Sequence, residues 1–194
     1  MQCIWNRSDM YNFFRKRMMP VNEFDLLSQR IDGKLTGLTP NAPTCCIFRV
    51  YTELRNVNKK AYEPQLLAIG PYHRGKDDLK QMDDHKLRYL KLLLQRRREN
   101  SVERYIDAMR ELEESARKCY AEPISLTTNE FVEMLLLDGC FIIELFRRLV
   151  MMDLRDEHDP IFQFDWMFNS LNRDLLLFEN QLPFFVLTKL FESY

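Results

Sequence analysis

Between positions 130 and 149 the sequence reads E-F-V-E-M-L-L-L-D-G-C-F-I-I-E-L-F-R-R-L, apolar on almost every side of the helix it would form. A helix with so little polar face must be wrapped by other elements or by lipid. Lipid does not suit it. The apolar run at 134–146 is interrupted by Asp138, Gly139 and Glu144 and falls short of the ~20 apolar residues that span a bilayer. The segment therefore predicts a central buried helix at about 129–149. Thr127 and Glu130 supply a capping-box pattern at its start, and Arg147 and Arg148 suit the dipole at its end.

The flanking sequence supplies the wrapping. Leu79, Met82, Leu87, Tyr89, Leu90, Leu93 and Leu94 recur at helical spacing over 77–98. Val102, Tyr105, Ile106, Met109, Leu112, Ala116 and Cys119 do the same over 100–120, with Asn100 and Glu103 in a capping-box-like pair. A short link joins the two, which predicts an antiparallel hairpin laid against the central helix. Downstream, 150–160 is a charged linker, 161–169 is aromatic-rich, 171–178 is helical, and Pro183 opens a last helix to 191. That last helix is apolar nearly throughout, so Phe184, Phe185, Leu187 and Phe191 either pack back on the core or form an exposed surface of an incomplete domain. Upstream, Cys45 to Tyr51 is the best candidate for a strand or extended segment, centred near 47–51. Pro64 to Ile69 is extended and Gly70-Pro71 is a turn. Residues 1–44 form a poorly structured basic leader and loop, with a short helix at 23–31 that Gly33, Gly37, Pro40 and Pro43 end. The fold class is all-α or mostly α, with a helical domain at 45–194 expected to be truncated at its C-terminal end.

Several function classes lack their residues. Five glycines in 194 residues include no phosphate-binding loop, and no G-x-S-x-G elbow is present. His73, His85 and His158 have no ligand-spaced partner, so no metal and no cofactor are expected. The five cysteines are odd in number with no C-x-x-C pair, which reads as buried thiols in a reducing compartment. No apolar signal region appears in 1–20, where Arg7, Arg15, Lys16 and Arg17 stand among Trp5, Tyr11, Phe13 and Phe14. The expected location is cytoplasmic or membrane-associated, with any membrane attachment lying in sequence absent from this chain. A net charge of −1 points to no nucleic-acid partner.

The acids of the central helix are its unusual feature. Glu130, Glu133 and Glu144 fall within about 60° of one another, with Asp138 on a different side. A carboxylate in an apolar helix must be paired, hydrogen-bonded or protonated. Arg49, Arg173 and His73 are candidate partners. The first reading is a polar cluster of Glu130, Glu133, Asp138, Glu144, Arg173 and His73 that clamps neighbouring helices. The alternative is a hydrolase that sets Asp138 or Glu144 beside His73 in a cleft. A Cys140–His73 nucleophile pair is a weaker variant, since a helix interior stabilises a thiolate poorly. The basic run 86–98 offers a third reading, anionic lipid or nucleic-acid binding, against its simpler account as a solvated helix end.

Five ordered stretches carry a resemblance. They are I-F-R-V-Y-T-E-L-R at 47–55, N-K-K-A-Y-E-P-Q at 58–65, I-G-P-Y-H-R-G-K at 69–76, E-F-V-E-M-L-L-L-D-G-C-F-I-I-E-L-F at 130–146 and R-D-L-L-L-F-E-N-Q-L-P-F-F at 173–185. Together they resemble the plant-specific domain of unknown function 247. Tyr51 stands where that family commonly has Pro, and Arg74 where it commonly has a second His. The resemblance implies a chain of about half the usual length, a membrane-spanning helix near the C-terminus of many members, and no established enzymatic activity. It also implies a recognition role, since some grass members are implicated in pollen–stigma self-incompatibility. The expected function is accordingly recognition or signalling by protein–protein contact, with a protein partner. No catalytic residue is carried over.

Overall fold

The computed structural model describes residues 24–36 and 47–193. It divides into a unit at 1–42 and a unit at 43–194. In the first, helix α1 (Phe24–Thr36) runs through Gly33, where the sequence predicted its end. Leu27, Ile31 and Leu35 recur every four residues along it and are all exposed. The basic leader, Gly37, Pro40 and Pro43, together with Cys3, Cys45 and Cys46, lie outside the described residues.

The second unit is a helical bundle, and among the described residues it contains no β-strand. Its elements are α2 (Thr52–Val57), α3 (Lys59–Tyr62), α4 (Gln81–Arg97), α5 (Glu103–Lys118), α6 (Thr128–Val150), α7 (Pro160–Gln163), α8 (Asp165–Leu175) and α9 (Phe184–Glu192). Among the described residues, the extended segment near 47–51 pairs at one point only. Ile47 bridges Tyr120, with Ile47 N donating to Cys119 O and Ala121 N to Ile47 O. Residues 47–76 form a strap of short helices and turns across the bundle rather than a strand.

Helix α6 is the predicted central element. Thr127 Oγ1 accepts from Glu130 N and Glu130 Oε2 accepts from Thr127 N, so the capping box forms as read. From Phe131 to Leu145 every residue but Glu133 is buried. Helices α4, α5 and α9 all pack on it. The expected hairpin does not close, because α4 and α5 have no Cα pair within 8 Å of each other. Each instead lies on α6, and a groove of about 340 Å³ floored by Val132 and Leu136 separates them. Apolar surface on α6 outcompetes a direct contact between two helices whose outer faces are charged. Helix α5 also starts later than Asn100, with Ser101 Oγ accepting from Glu103 N.

Gly139 lets α9 approach α6 closely: a Cβ there would lie 2.3 Å from Leu190 Cδ1. Val186 and Leu190 are fully buried in that contact. The aromatic run at 161–169 is helical, broken at Phe164 between α7 and α8.

Candidate functional site

The densest polar centre of the described residues lies where the strap meets the segment after α8. Asp174, at the end of α8, is fully buried and aims its carboxylate at the strap backbone. Oδ2 accepts from Leu66 N at 2.7 Å and from Gln65 N and Leu67 N at 3.0 Å. Arg173 pairs with Asp174 at 2.8 Å and donates to the carbonyls of Lys60 and Glu63. Asn180 Oδ1 accepts from Ile69 N at 2.7 Å, while its amide donates to Leu67 O and Asp174 O. Each of these side chains satisfies strap groups that have no ladder partner, which is the requirement on an irregular segment packed into a core.

Glu179 completes the clamp. Its side chain is buried and accepts from Val50 N at 2.5 Å and from Arg55. Its second oxygen lies 3.8 Å from Arg49 and 3.3 Å from His73 Nε2. Burial, then the nearby Lys76 charge, lowers the His73 pKa from 6.5 to about 4, even though Glu179 pulls it upward. His73 is therefore a neutral imidazole at physiological pH. Neither ring nitrogen has a well-aligned hydrogen bond among the described residues. Gly70 sits in the same turn at φ +72, where a Cβ would fall 2.5 Å from Gln181 O.

Above this centre the strap builds a hollow of about 330 Å³ lined by Phe48, Arg49, Val50, Tyr51, Leu54, Tyr62 and Phe178. Phe48, Tyr51, Leu54 and Phe178 are exposed, Phe178 to 78%. Arg49 stacks 4.4 Å from the Tyr72 ring and pairs with Glu122 at 2.7 Å. The floor of the hollow is thus held by Glu179 through Val50 N, and its cationic edge by Glu122, Glu179 and Tyr72.

The four acids, His73 and Arg173 named from the sequence do not meet in one cluster. Glu130 and Glu133 are exposed rather than buried; Glu130 is spent on the capping box, and Glu133 lies 3.9 Å from Arg74. Helix curvature and crossing partners, not angle alone, decide which positions are covered. Asp138 is buried and bound to Lys86 at 2.7 Å and to Gly70 N at 2.8 Å. Glu144 is buried between Arg96, at 2.5 Å and 2.9 Å, and Arg148, at 2.7 Å. Burial alone would raise its pKa, but the two guanidinium hydrogen bonds hold it below the usual carboxylate value. His73 makes no ion pair or hydrogen bond with Asp138 or Glu144 among the described residues; its partner is Glu179. Cys140 is buried within α6.

The basic run 86–98 is not one exposed stripe. Lys86 and Arg96 turn inward to Asp138 and Glu144, and Arg88 pairs with Asp156 at 2.7 Å. Lys86, at the start of that run, is only 2% exposed and also donates to Ala68 O. Asp174, Glu179, Asn180 and Lys86 were missed. Their signal was present as polar residues inside apolar stretches, R-D-L-L-L-F-E-N-Q above all. No helix of the described residues is long and apolar enough to cross a membrane, and no group of three or more His, Cys, Asp or Glu among them could hold a metal ion.

A second apolar feature lies between the C-terminal half of α6 and α9. It is a groove of about 560 Å³ walled by Ile142, Ile143, Phe146, Val150, Phe184 and Phe191, with Arg147 and Thr188 as its polar lining. Of the surface expected at Phe184, Phe185, Leu187 and Phe191, Phe184 is 79% exposed, Phe191 59% and Phe185 38%, while Leu187 is half-buried against the core.

Comparison with known proteins places these features in a family. The chain is 42% identical over 151 residues to the UPF0481 protein At3g47200 of Arabidopsis thaliana, covering 76% of this chain and 31% of that protein. It is 26% identical over 171 residues to the putative UPF0481 protein At3g02645 of the same plant, covering 86% and 30%. The chain thus spans about a third of the length of these curated relatives. No solved structure matches it. The DUF247 family model, described as plant protein of unknown function, matches residues 47–194, the strap and bundle just described, and the chain belongs to that family.

Proposed function

We propose that this domain acts in recognition by protein–protein contact, using the aromatic face of Phe48, Tyr51, Leu54, Tyr62 and Phe178 with Arg49 at its edge. The observation that carries the reading is this exposed set of aromatics around a hollow whose backbone is fixed from below by Glu179. Transient interfaces are enriched in aromatic residues and Arg, and their energy concentrates in a few such anchors seated in preformed pockets. A platform held by buried hydrogen bonds also loses little freedom when a partner docks. The hydrolase alternative draws no support, since Asp138 and Glu144 are each paired with cations and neither makes an ion pair or hydrogen bond with His73 among the described residues. In a longer family member, a membrane-spanning helix outside this region would present the face at a membrane surface.

The test is photocrosslinking from a benzoylphenylalanine at position 178 in plant extract. A discrete protein adduct that is lost in the Phe48→Ala, Tyr51→Ala double variant supports the reading. An adduct indifferent to those substitutions, or none, removes it.

A further inference from the structure

We propose that Ser101 is a phosphorylation site, read by a basophilic serine kinase through Arg97 and Arg98. The proposal does not rest on the aromatic face.

The basic run 86–98 ends just ahead of this serine. The sequence over 96–102 is R-R-R-E-N-S-V, which puts Arg98 three residues and Arg97 four residues before the hydroxyl. Kinases that prefer basic substrates hold the acceptor chain extended and set carboxylates against cations at such positions, where a guanidinium fork pairs bidentately. The third arginine takes no part, because Arg96 turns inward to Glu144. Arg97 keeps 40% of its side chain exposed in a loose 3.6 Å contact with Glu99, and Arg98 is exposed as well.

The fold leaves the acceptor within reach. Helix α4 ends at Arg97 and α5 begins at Glu103, so Ser101 stands in the non-helical link between them. Ser101 and Asn100 are both exposed. Ser101 Oγ accepts from Glu103 N at 3.1 Å, a bond that does not use the hydroxyl's own proton. Glu99 and Val102 are half-buried, Val102 against the core, so the link must lift at two side chains to lie extended in a kinase cleft. A local opening of that size leaves both helices in place.

Other hydroxyls show what Ser101 combines. Ser125 and Thr127 also lie outside the helices, yet no cation stands within four residues ahead of either. Thr52 has Arg49 three residues ahead, but that guanidinium is stacked on Tyr72 and paired with Glu122 at 2.7 Å.

In the reaction the γ-phosphoryl group of ATP passes to Ser101. The bond from Oγ to phosphorus forms, the bond from that phosphorus to the bridging oxygen of ADP breaks, and the hydroxyl proton goes to the kinase's catalytic carboxylate. The product carries a further charge of about −1.5 to −2 just ahead of α5, the end of a helix that tolerates negative charge. Residues 97–104 hold three arginines and two glutamates, so phosphorylation reverses the sign of the charge on this stretch.

The experiment incubates the folded 194-residue chain with Mg-ATP and the catalytic subunit of cyclic-AMP-dependent kinase, and maps the product by tandem mass spectrometry. A synthetic peptide of residues 93–106 gives the rate of the unfolded acceptor. The expected result is phosphate on Ser101, formed within about a hundredfold of the peptide's rate, with Ser125 and Thr127 unmodified. Ser101→Ala should remove it. The double variant Arg97→Gln, Arg98→Asn should slow it by about tenfold or more; Asn tolerates the left-handed backbone at position 98. A Ser101 left unmodified overturns the proposal, and so does a double variant modified as fast as the parent. A folded chain slower than the peptide by more than about a hundredfold also overturns it, because the acceptor would then be reached in the unfolded chain alone. The same proteins are then incubated with ATP in plant extract. The Ser101 phosphopeptide is expected from the parent, with a yield at least about tenfold lower from the double variant. Its absence from the parent, or equal yield from both, contradicts the proposal.

Discussion

Replacing Asp174 with Ala tests whether the strap is held by the residues that face it. The carboxylate serves three amides: Leu67 is buried, Leu66 half-buried and Gln65 exposed. A hydrogen bond to a charged group is worth roughly 1.5–3 kcal/mol when its loss leaves the donor unsatisfied. Water can replace the acceptor at Gln65, so about one and a half such bonds are at stake. Arg173 loses its carboxylate but keeps the carbonyls of Lys60 and Glu63. The sum is about 2–4.5 kcal/mol, which for a protein of this size lowers Tm by on the order of 10 °C. Asp174→Asn keeps an oxygen acceptor in place and costs about 1–2 kcal/mol, the charge-assisted part alone. Urea denaturation followed by circular dichroism, at constant slope, measures both. A loss below about 1 kcal/mol in Asp174→Ala would refute the reasoning, because it would mean the three amides find water or never needed the carboxylate.

Three further outcomes follow from the same packing. His73 is neutral in the fold with a pKa of about 4, faces Glu179, Lys76, Arg49 and Arg55, and titrates normally once unfolded. The unfolded chain then binds more protons below pH 6.5, so His73 costs stability as pH falls through the window from 6.5 to 4; about 2 kcal/mol is lost by pH 5, and His73→Gln should flatten that slope in denaturant titrations. Gly70→Ala puts a Cβ 2.5 Å from Gln181 O at φ +72 and should destabilise by about 3 kcal/mol or prevent folding, as thermal melts would report. Arg98 caps α4 at φ 56, its N–H donating to Gln95 O, so Arg98→Gly should stabilise by about 0.5–1 kcal/mol; a lower Tm would mean its side chain contributes more than the strain costs.

Much of the helical frame was legible because α6 announces itself. Thr127 and Glu130 mark its start, and its unbroken apolar surface requires neighbours on several sides. The same feature hid the arrangement of those neighbours. Periodicity marks the buried stripes of α4 and α5, but it does not say that each prefers α6 to the other. The acids were half legible. That Asp138 and Glu144 need partners follows from burial, yet the cations are Lys86 and Arg96 of the basic run, not the Arg49, Arg173 or His73 that the sequence suggested. Angular position on an ideal helix grouped Glu144 with Glu130 and Glu133, although a 23-residue helix passes from the bundle edge to its centre along that length. The strap was least legible. Its amides are satisfied by Asp138, Asp174, Glu179 and Asn180, residues 68 to 129 positions away in sequence, and no local pattern reports a partner at that range. What did survive in the sequence was the order of the five family stretches, of which three form the strap and two, at 130–146 and 173–185, supply the side chains that hold it.

Native-state hydrogen exchange at the amides of Leu66, Leu67, Ile69 and Gly70 tests most directly whether side chains from α6, α8 and the following turn lock the strap to the bundle. The account predicts that these four amides exchange as slowly as those in the middle of α6, through the same global opening, despite belonging to no helix or sheet. Fast exchange of the four while α6 stays protected would mean the strap opens on its own, and the clamp would then not be what holds the fold together.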